Sequence, residues 1–274
     1  MKQILVPTDF STNAENALKV AAKIAKKQNC EILLLHMLEI PSQMNDAITG
    51  STGIPEAMLF IQKANETLEN ETQKSFLKDI PISHYIQFEK ATDGILSFSK
   101  KNNIDLIIMG SHGVSGIQEI IIGSNTEKVV RQSDIPVLII KDDSLDFNQP
   151  HFIFASDFTE EIKTPFKKML ELVTIFEAEL SLVMICTPNS FKTTRTAKKI
   201  LANFVSEFDI KNYSIHFYND TNIEKGILHF AKDVNADLIG LCTHGRTGLS
   251  HFFTGSISED LVNHAARPVI TFKI

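Results

Sequence analysis

Short runs of apolar residues alternate along this chain with longer stretches in which apolar residues recur every three or four positions. The short runs predict buried strands, and the longer stretches predict amphipathic helices. In the first half, strands are predicted over residues 4–6, 30–37, 83–88, 106–109 and 136–140, and helices from residue 12 and over 56–77, 94–101 and 125–131. Such alternation favours an α/β fold in which helices cover a parallel sheet.

The same series of elements occurs twice. Residues 152–159 match residues 4–11 at an offset of 148, whereas the later matches, such as Gly255-Ser256 with Gly123-Ser124, share an offset of 132. The offset changes between the second and third predicted strands, so the first half should contain a longer connection around residues 41–77. A polar segment that ends in Pro150 separates the copies and predicts two domains, residues 1–143 and 150–274.

A glycine-rich turn follows the fourth predicted strand of each half and leads into a helix. The first half has Gly110-Ser-His-Gly113 and then Gly123-Ser124, and the second has Cys242-Thr-His-Gly245 and then Gly255-Ser256. Backbone N–H groups of such a turn, together with those of a helix N-terminus, can face an anion. Glycine accepts positive φ and lets a phosphate approach the backbone closely. An anion-binding loop is therefore predicted in each half.

Asp9 comes directly after the first predicted strand, and Met37 ends the second. If the strand order is 3-2-1-4-5, the first and fourth strands are neighbours where the order reverses, and Asp9 faces the glycine-rich turn. Its carboxylate could accept hydrogen bonds from a ribose or a base, and Met37 could contact a flat base. Alternatively, Asp9 caps the helix that begins near Thr12. Asp157, at the equivalent place in the second half, keeps both interpretations open.

Other residues of the turns also have structural alternatives. Ser124 and Glu127 have the spacing of a capping box, and so do their counterparts in the second half. His112 is interpreted as a turn residue and not as a metal ligand, because no second His or Cys lies at ligand spacing. Arg246 could contact a phosphate or be a solvated loop cation.

Composition narrows the classes of function. The net charge is −6 without a basic block, which disfavours nucleic acid as a partner. The three cysteines are far apart, which disfavours a disulfide framework or a cysteine zinc site and fits a reduced cytoplasm. No apolar run is long enough to cross a bilayer, and the first residues do not resemble an export signal, so no membrane is expected as a partner.

The glycine pattern of the first half is similar to that of a known family. Gly110, Gly113, Gly123 and Ser124 match the universal stress protein pattern G-x-x-G, nine residues, then G-[S/T], and residues 7–11 resemble the family's opening signature. With two copies, the chain resembles a tandem universal stress protein. The resemblance implies two Rossmann-like domains of the adenine nucleotide alpha hydrolase-like fold, each a five-stranded parallel sheet in the order 3-2-1-4-5. It also implies binding of ATP or a related adenine nucleotide.

The resemblance places nucleotide-binding residues in both domains. In the first domain they are Pro7, Thr8, Asp9, Met37, Gly110, His112, Gly113, Gly123, Ser124 and Asn125. A weaker second site would contain Asp157, Gly245, Arg246, Gly255 and Ser256. The family also implies pairing through the last strands, here an internal pseudo-dimer between residues 136–141 and 268–273, and two chains could form a homodimer.

Cys242 departs from the family pattern, because it occupies the position of the first glycine. Its Cβ is expected to hinder backbone approach, and positive φ would cost this residue about 1–2 kcal/mol. The nucleotide site is therefore expected mainly in the first domain. Arg246 favours a site in the second domain instead, because it could bind a phosphate and the first-half loop from Gly110 to Ser124 contains no Lys or Arg.

These features favour a nucleotide-binding regulatory or stress-response protein without catalytic residues. The chain has no Walker Gly-Lys-[Ser/Thr] sequence, and no nucleophile–base pair stands out. Slow ATP hydrolysis would require Mg²⁺, which Asp9 could recruit. One alternative is a scaffold that acts through protein contacts. A less favoured alternative is an ATP-dependent enzyme, which would tend to carry a Ser-Gly-Gly-rich loop where this chain has Pro7-Thr8-Asp9.

Overall fold

A computed structural model describes residues 1–39, 54–111, 123–141, 149–243 and 261–274, with the side chains of the second range from residue 58 onward. The described residues fall into two compact units, the first extending to Val129 and the second beginning at Val130. The predicted loop before residue 54 and most of the predicted linker lie outside the described residues. The predicted domain limits, 1–143 and 150–274, stay a prediction.

The first unit has a parallel sheet in the order β3-β2-β1-β4. Its strands are β1 Gln3–Thr8, β2 Glu31–Met37, β3 Ile82–Gln87 and β4 Leu106–Gly110. Its helices are α1 Thr12–Gln28, α2 Ile54–Thr72, α3 Ala91–Lys101 and the start of α4 Ser124–Gln132. The helix predicted over residues 56–77 is α2 followed by a separate 3-10 turn, Ser75–Leu77.

The core of the first unit follows from the apolar pattern. Ile4, Leu5 and Val6 of β1 are fully buried on both faces of the sheet, as expected for a central parallel strand. Helix α1 begins where the Ser11 hydroxyl accepts a hydrogen bond from the Ala14 N–H at 3.2 Å. Its small buried residues, mostly alanines, let α1 lie close to the strands beneath it.

The second unit contains the strands β5 Val137–Ile140, β6 His151–Ala155, β7 Glu179–Cys186, β8 Tyr213–Asn219, β9 Leu238–Thr243 and β10 Val269–Lys273. Its helices are α5 Lys163–Phe176, α6 Thr194–Val205 and α7 Ile223–Asp233, with 3-10 turns at Glu160–Ile162 and Pro188–Ser190. The sheet order is β5-β10-β9-β6-β7-β8. All neighbours are parallel except β5 and β10, which pair antiparallel.

The predicted repeat and strand order are confirmed as far as each unit extends. Strands β6, β7, β8, β9 and β10 repeat the order predicted for five strands, and β1 to β4 show the same order without the last strand. The longer connection predicted between the second and third strands is also found, since α2 has 19 residues and its counterpart α6 has 12. No helix among the described residues is both long and apolar enough to span a membrane.

Candidate functional site

A cavity of about 460 Å³ opens at the carboxyl edge of the first sheet. Its described lining contains eight of the predicted residues: Pro7, Thr8, Asp9, Met37, Gly110, Gly123, Ser124 and Asn125. They come from the ends of β1, β2 and β4 and from the start of α4. His112 and Gly113 lie outside the described residues. Residues far apart in sequence therefore meet at the edge where parallel α/β sheets bind ligands.

The turn after β1 directs Asp9 toward this cavity. Phe10 adopts a left-handed conformation with φ of 64°, and its N–H donates to the Thr8 hydroxyl at 3.0 Å. The Ser11 N–H donates to Asp9 Oδ1 at 3.1 Å. Because Ser11 caps α1, the alternative that Asp9 is the helix cap is wrong. Asp9 is exposed and lines the cavity.

The second unit repeats this turn. Phe158 has φ of 58°, and its N–H donates to the Ser156 hydroxyl at 3.1 Å. A left-handed conformation costs a non-glycine residue roughly 1–2 kcal/mol, so the turn requires support from its surroundings. The strained residue was not predicted, because its side chain is apolar and suggests only burial.

Gly110 is required by a close approach of helix α1. A Cβ on Gly110 would lie 2.7 Å from the carbonyl carbon and 2.8 Å from the carbonyl oxygen of Asn13. Positive φ, which the sequence analysis gave as one reason for a glycine here, is found at none of the described glycines, so that expectation is wrong for Gly110. The glycine allows the first turn of α1 to pack directly on the end of β4.

Two hydrogen bonds close the base of the glycine-rich loop. The Gly123 N–H donates to the Ser111 carbonyl at 2.9 Å, and the Thr126 hydroxyl donates to the Gly110 carbonyl at 3.1 Å. These bonds fix the N-terminus of α4 beside the end of β4. The backbone N–H groups of the first turn of α4 lie where an anion in the cavity could accept from them.

Ser124 is not the cap of this helix. The first bond of the α4 ladder runs from the Glu127 N–H to the Gly123 carbonyl at 3.1 Å, so Gly123 is the N-cap and Ser124 is the first helical residue. The predicted capping box between Ser124 and Glu127 is therefore wrong, because that motif places its serine at the N-cap. Ser124 and Asn125 are exposed and face the cavity.

Seven residues that were not predicted from the sequence also line the cavity: Ala14, Leu35, Glu39, Ala91, Ile95, Met109 and Thr126. Glu39 Oε1 accepts a hydrogen bond from the Ala91 N–H at 3.4 Å, which brings a carboxylate to the N-terminus of α3. The Met37 side chain is held against α3, because its Sδ lies 3.0 Å from the position of a Cβ on Gly94. Glu39 lies just after β2 and Ala91 begins α3, and these positions at element ends were the sequence features that could have indicated them.

The described lining of the cavity is acidic. Asp9 and Glu39 are its ionisable residues, and it contains no Lys or Arg. The described residues hold no group of three or more His, Cys, Asp or Glu side chains that could bind a metal ion. Two carboxylates can nevertheless share Mg²⁺ with the phosphates of a ligand, since Mg²⁺ uses one or two protein carboxylates in such sites.

The equivalent crevice of the second unit is nearly closed. Its volume is about 10 Å³, and its described lining is Ala155, Ser156, Asp157, Met184, Ile185, Ser190, Lys192, Ile223 and Ile227. Of the residues predicted for the second site, Asp157 lies here, and Gly245, Arg246, Gly255 and Ser256 lie outside the described residues.

Cys242 fits its position without backbone strain. It lies within β9, is fully buried, and does not have positive φ, so the strain expected from replacing glycine here is absent. Burial raises the pKa of its thiol, and the charges of Asp157 and Glu161 raise it further. The thiol is therefore protonated and unreactive at neutral pH.

Comparison with known proteins identifies relatives over the whole length. The model of the universal stress protein family matches residues 1–141 and 216–273. Universal stress protein MJ0577 of Methanocaldococcus jannaschii is 31% identical over 153 residues, which cover 51% of this chain and 94% of that protein. Universal stress protein Slr1230 of Synechocystis sp. is 22% identical over 299 residues and covers all of both chains.

A solved structure agrees with the fold. A universal stress protein from Archaeoglobus fulgidus superposes with a TM-score of 0.76 at 24% identity, over 99% of this chain and 96% of that one. Similarity at this identity supports the fold, and the family match supplies the assignment. The chain belongs to the universal stress protein family and carries its domain twice in tandem.

Proposed function

We propose that this protein binds an adenine nucleotide, ATP in the first instance, in the first unit, and that it acts as a regulatory stress-response protein. The observation that carries the proposal is the 460 Å³ cavity at the carboxyl edge, lined by eight residues that the family resemblance assigns to the nucleotide. Its volume lies within the range of about 300–1,000 Å³ that is typical of small-molecule sites.

The lining suggests how the nucleotide would be oriented. Gly110 and Gly123 leave space for phosphates, and the first turn of α4 offers backbone N–H groups. Met37 and Ile95 provide an apolar wall that suits a flat base, and Asp9 can accept hydrogen bonds from ribose hydroxyls or an amino group. His112 and Gly113 would complete the phosphate end.

A magnesium ion would help to bind a triphosphate here. The described lining has the carboxylates of Asp9 and Glu39 and no cationic side chain, so a triphosphate would be repelled without a counterion. When bound, Mg²⁺ would neutralise part of the phosphate charge. Asp9 is the residue that would hold it.

Regulation is favoured over catalysis because the cavity lining offers no nucleophile–base pair among the described residues. A scaffold function is a second candidate for the second unit, since its crevice of about 10 Å³ has little room for a ligand. The predicted second site at Asp157, Gly245, Arg246, Gly255 and Ser256 is accordingly proposed as the weaker one.

An internal pseudo-dimer is also proposed, in which the last strands of the two repeats pair. The antiparallel pairing of β5 with β10 supports it, with Ile139 opposite Val269 and Val137 opposite Thr271. By sequence, β5 belongs to the first repeat and β10 to the second. This pairing covers strand edges that would otherwise be exposed.

Mass spectrometry of the purified protein, followed by calorimetric titration with ATP, tests the proposed function. The wild type should bind ATP, and the affinity should fall when EDTA removes Mg²⁺. Gly113→Val should abolish binding by blocking the phosphate loop, and the matched change Gly245→Val should leave it nearly unchanged. Absence of ATP binding by the wild type would refute the proposal, and the opposite pattern of the two variants would move the site to the second unit.

A further inference from the structure

We propose that the side chain at one position, the first residue of the helix after the third strand of each repeat, limits the space that the crevice offers to the base of a nucleotide. That residue is Ala91 in the first unit and Ile223 in the second. The inference rests on the proposed nucleotide function and adds to it the residue that makes the two repeats unequal.

Ala91 and Ile223 are structurally equivalent. Ala91 is the first residue of α3, Ile223 is the first residue of α7, and the two are related by the offset of 132 that relates the later parts of the repeats. Each lines the crevice at the carboxyl edge of its own sheet. A difference in side-chain size at this position therefore acts directly on the space available to a ligand.

Two apolar positions beside Ala91 keep large side chains in both units. Ile95 corresponds to Ile227, and Met37 corresponds to Ile185, so both pairs keep a large apolar side chain. Ile223, in contrast, has three more side-chain carbons than alanine. Among these apolar positions of the wall, the alanine-to-isoleucine change is the one that adds substantial bulk.

The crevice volumes agree with this difference. The first crevice measures about 460 Å³ and the second about 10 Å³, and a volume of the second size accommodates roughly one water molecule. The described part of the second crevice therefore offers a purine little room. The connection between β7 and α6 also narrows the second crevice, because Ser190 of the 3-10 turn and Lys192 line it.

The N-termini of α3 and α7 also differ in the acceptors of their backbone N–H groups. In the first unit, the Ala91 N–H donates to Glu39, a residue of the cavity. In the second unit, Asn222 caps α7 by accepting from the Lys225 N–H at 2.8 Å. Glu39 corresponds to Thr187, whose hydroxyl lies 2.9 Å from the Ser190 hydroxyl in the 3-10 turn. At the start of α3 a backbone N–H therefore bonds a residue of the cavity, whereas at the start of α7 a backbone N–H bonds the neighbouring Asn222.

The test is calorimetric titration of the full chain with ATP and Mg²⁺, using Ala91→Ile and the smaller change Ala91→Val. We expect the wild type to bind one ATP per chain, Ala91→Ile to weaken binding at least tenfold, and Ala91→Val to weaken it by a smaller factor. A matched control, Ala202→Ile on the exposed surface of α6, should stay within twofold of the wild type. Thermal unfolding checks that each variant is folded.

The outcomes separate this inference from the proposed function. Two ATP molecules per wild-type chain, or unchanged affinity in folded Ala91→Ile and Ala91→Val, would overturn the inference and leave nucleotide binding in place. Failure of the wild type to bind ATP would overturn both.

Discussion

Each unit forms a sheet with the same strand order, but side chains of different volume occupy equivalent core positions. Three of these positions change together: Val6, Ala21 and Ile108 of the first unit correspond to Phe154, Met169 and Gly240 of the second. A Cβ on Gly240 would lie 3.0 Å from Met169 Sδ and 3.2 Å from the Phe154 ring. The space taken by two larger side chains is therefore recovered by removing a third.

This exchange shows which property of the sequence the fold depends on. Most apolar positions along the strands are shared by the two units, with exceptions such as Leu33, which corresponds to Ser181. At several shared positions the side-chain volumes differ, and a gain at one position is offset by a loss at its neighbour. Cores tolerate such substitutions when total volume and pattern are kept. The core of the second unit contains a cluster of aromatic rings, in which Phe166 contacts Phe154, Phe204 and Phe208.

The carboxyl edges differ for a related reason. In the first unit α1 begins at Thr12, and its Asn13 backbone leaves no room for a Cβ on Gly110. In the second unit a 3-10 turn, Glu160–Ile162, stands where α1 begins in the first, and α5 starts only at Lys163. The Cys242 side chain fits at the end of β9, where a 3-10 turn replaces the first turn of the helix. Glycine at this position is thus a packing requirement of the first unit.

The largest expected effect comes from adding a Cβ to Gly110. Gly110→Ala should lower the free energy of unfolding by about 2–3 kcal/mol, because the new carbon would meet immobile backbone atoms of Asn13. Urea denaturation measures the loss. The matched change Cys242→Ala only removes a buried sulfur and should cost about 1 kcal/mol. A Gly110→Ala variant as stable as Cys242→Ala would show that α1 can withdraw and that the two edges are not different.

A smaller effect tests the volume exchange in the second core. Gly240→Ala should cost about 1 kcal/mol, because its Cβ would press on Met169, whose flexible side chain can partly move away. In the background of Met169→Ala the same change should be neutral or stabilising, since the cavity left by Met169 receives the added carbon. A double-mutant cycle by urea denaturation gives the coupling, and strictly additive losses would contradict the exchange.

The smallest effect concerns a hydrogen-bonded network found in the second unit. His216 Nε2 lies 2.7 Å from the Ser214 hydroxyl, which in turn lies 2.9 Å from Ser181, and Ser181 lies 2.7 Å from His151 Nε2. Burial, with a contribution from the nearby His151, lowers the pKa of His216, and Glu179 opposes this in part.

Because the pKa of His216 is lower in the folded protein, acid favours the unfolded chain. The stabilising contribution of neutral His216 should be fully present above the unfolded value of about 6.5 and be lost as the pH falls through the folded value. Unfolding midpoints at pH 7.5 and 5.0 measure this loss, which His216→Gln should reduce. A loss of the same size in His216→Gln as in the wild type would contradict the assignment.

Much of the fold could be predicted because it depends on local periodicity. The strands, the helices, the repeat and the place of the longer connection all follow from the order of apolar and polar residues. The residues that end β1, β2 and β4 were also predictable, since parallel strands bring their carboxyl ends to one edge.

Features that depend on the distance between elements were not predictable. Glu39 and Ala91 are ordinary residues in sequence, and only the packing of α3 beside β2 joins them at the cavity. The reason for Gly110 was missed for the same cause, because it lies in the approach of α1 and not in the conformation of the glycine itself. Cys242 was the residue expected to make the repeats unequal, whereas Ile223 is the residue that lines the narrower crevice.

The antiparallel partner of β5 has a consequence for synthesis of the chain. Strand β5 ends at Ile140, and β10 begins at Val269, about 130 residues later. At translation rates of about 5–20 residues per second, β5 waits roughly 6–26 s on the ribosome before its partner emerges. During that interval the all-apolar sequence of β5, Val-Leu-Ile-Ile, has an unpaired edge. Chaperone capture of the nascent chain should therefore be greatest between completion of the first repeat and emergence of the last strand.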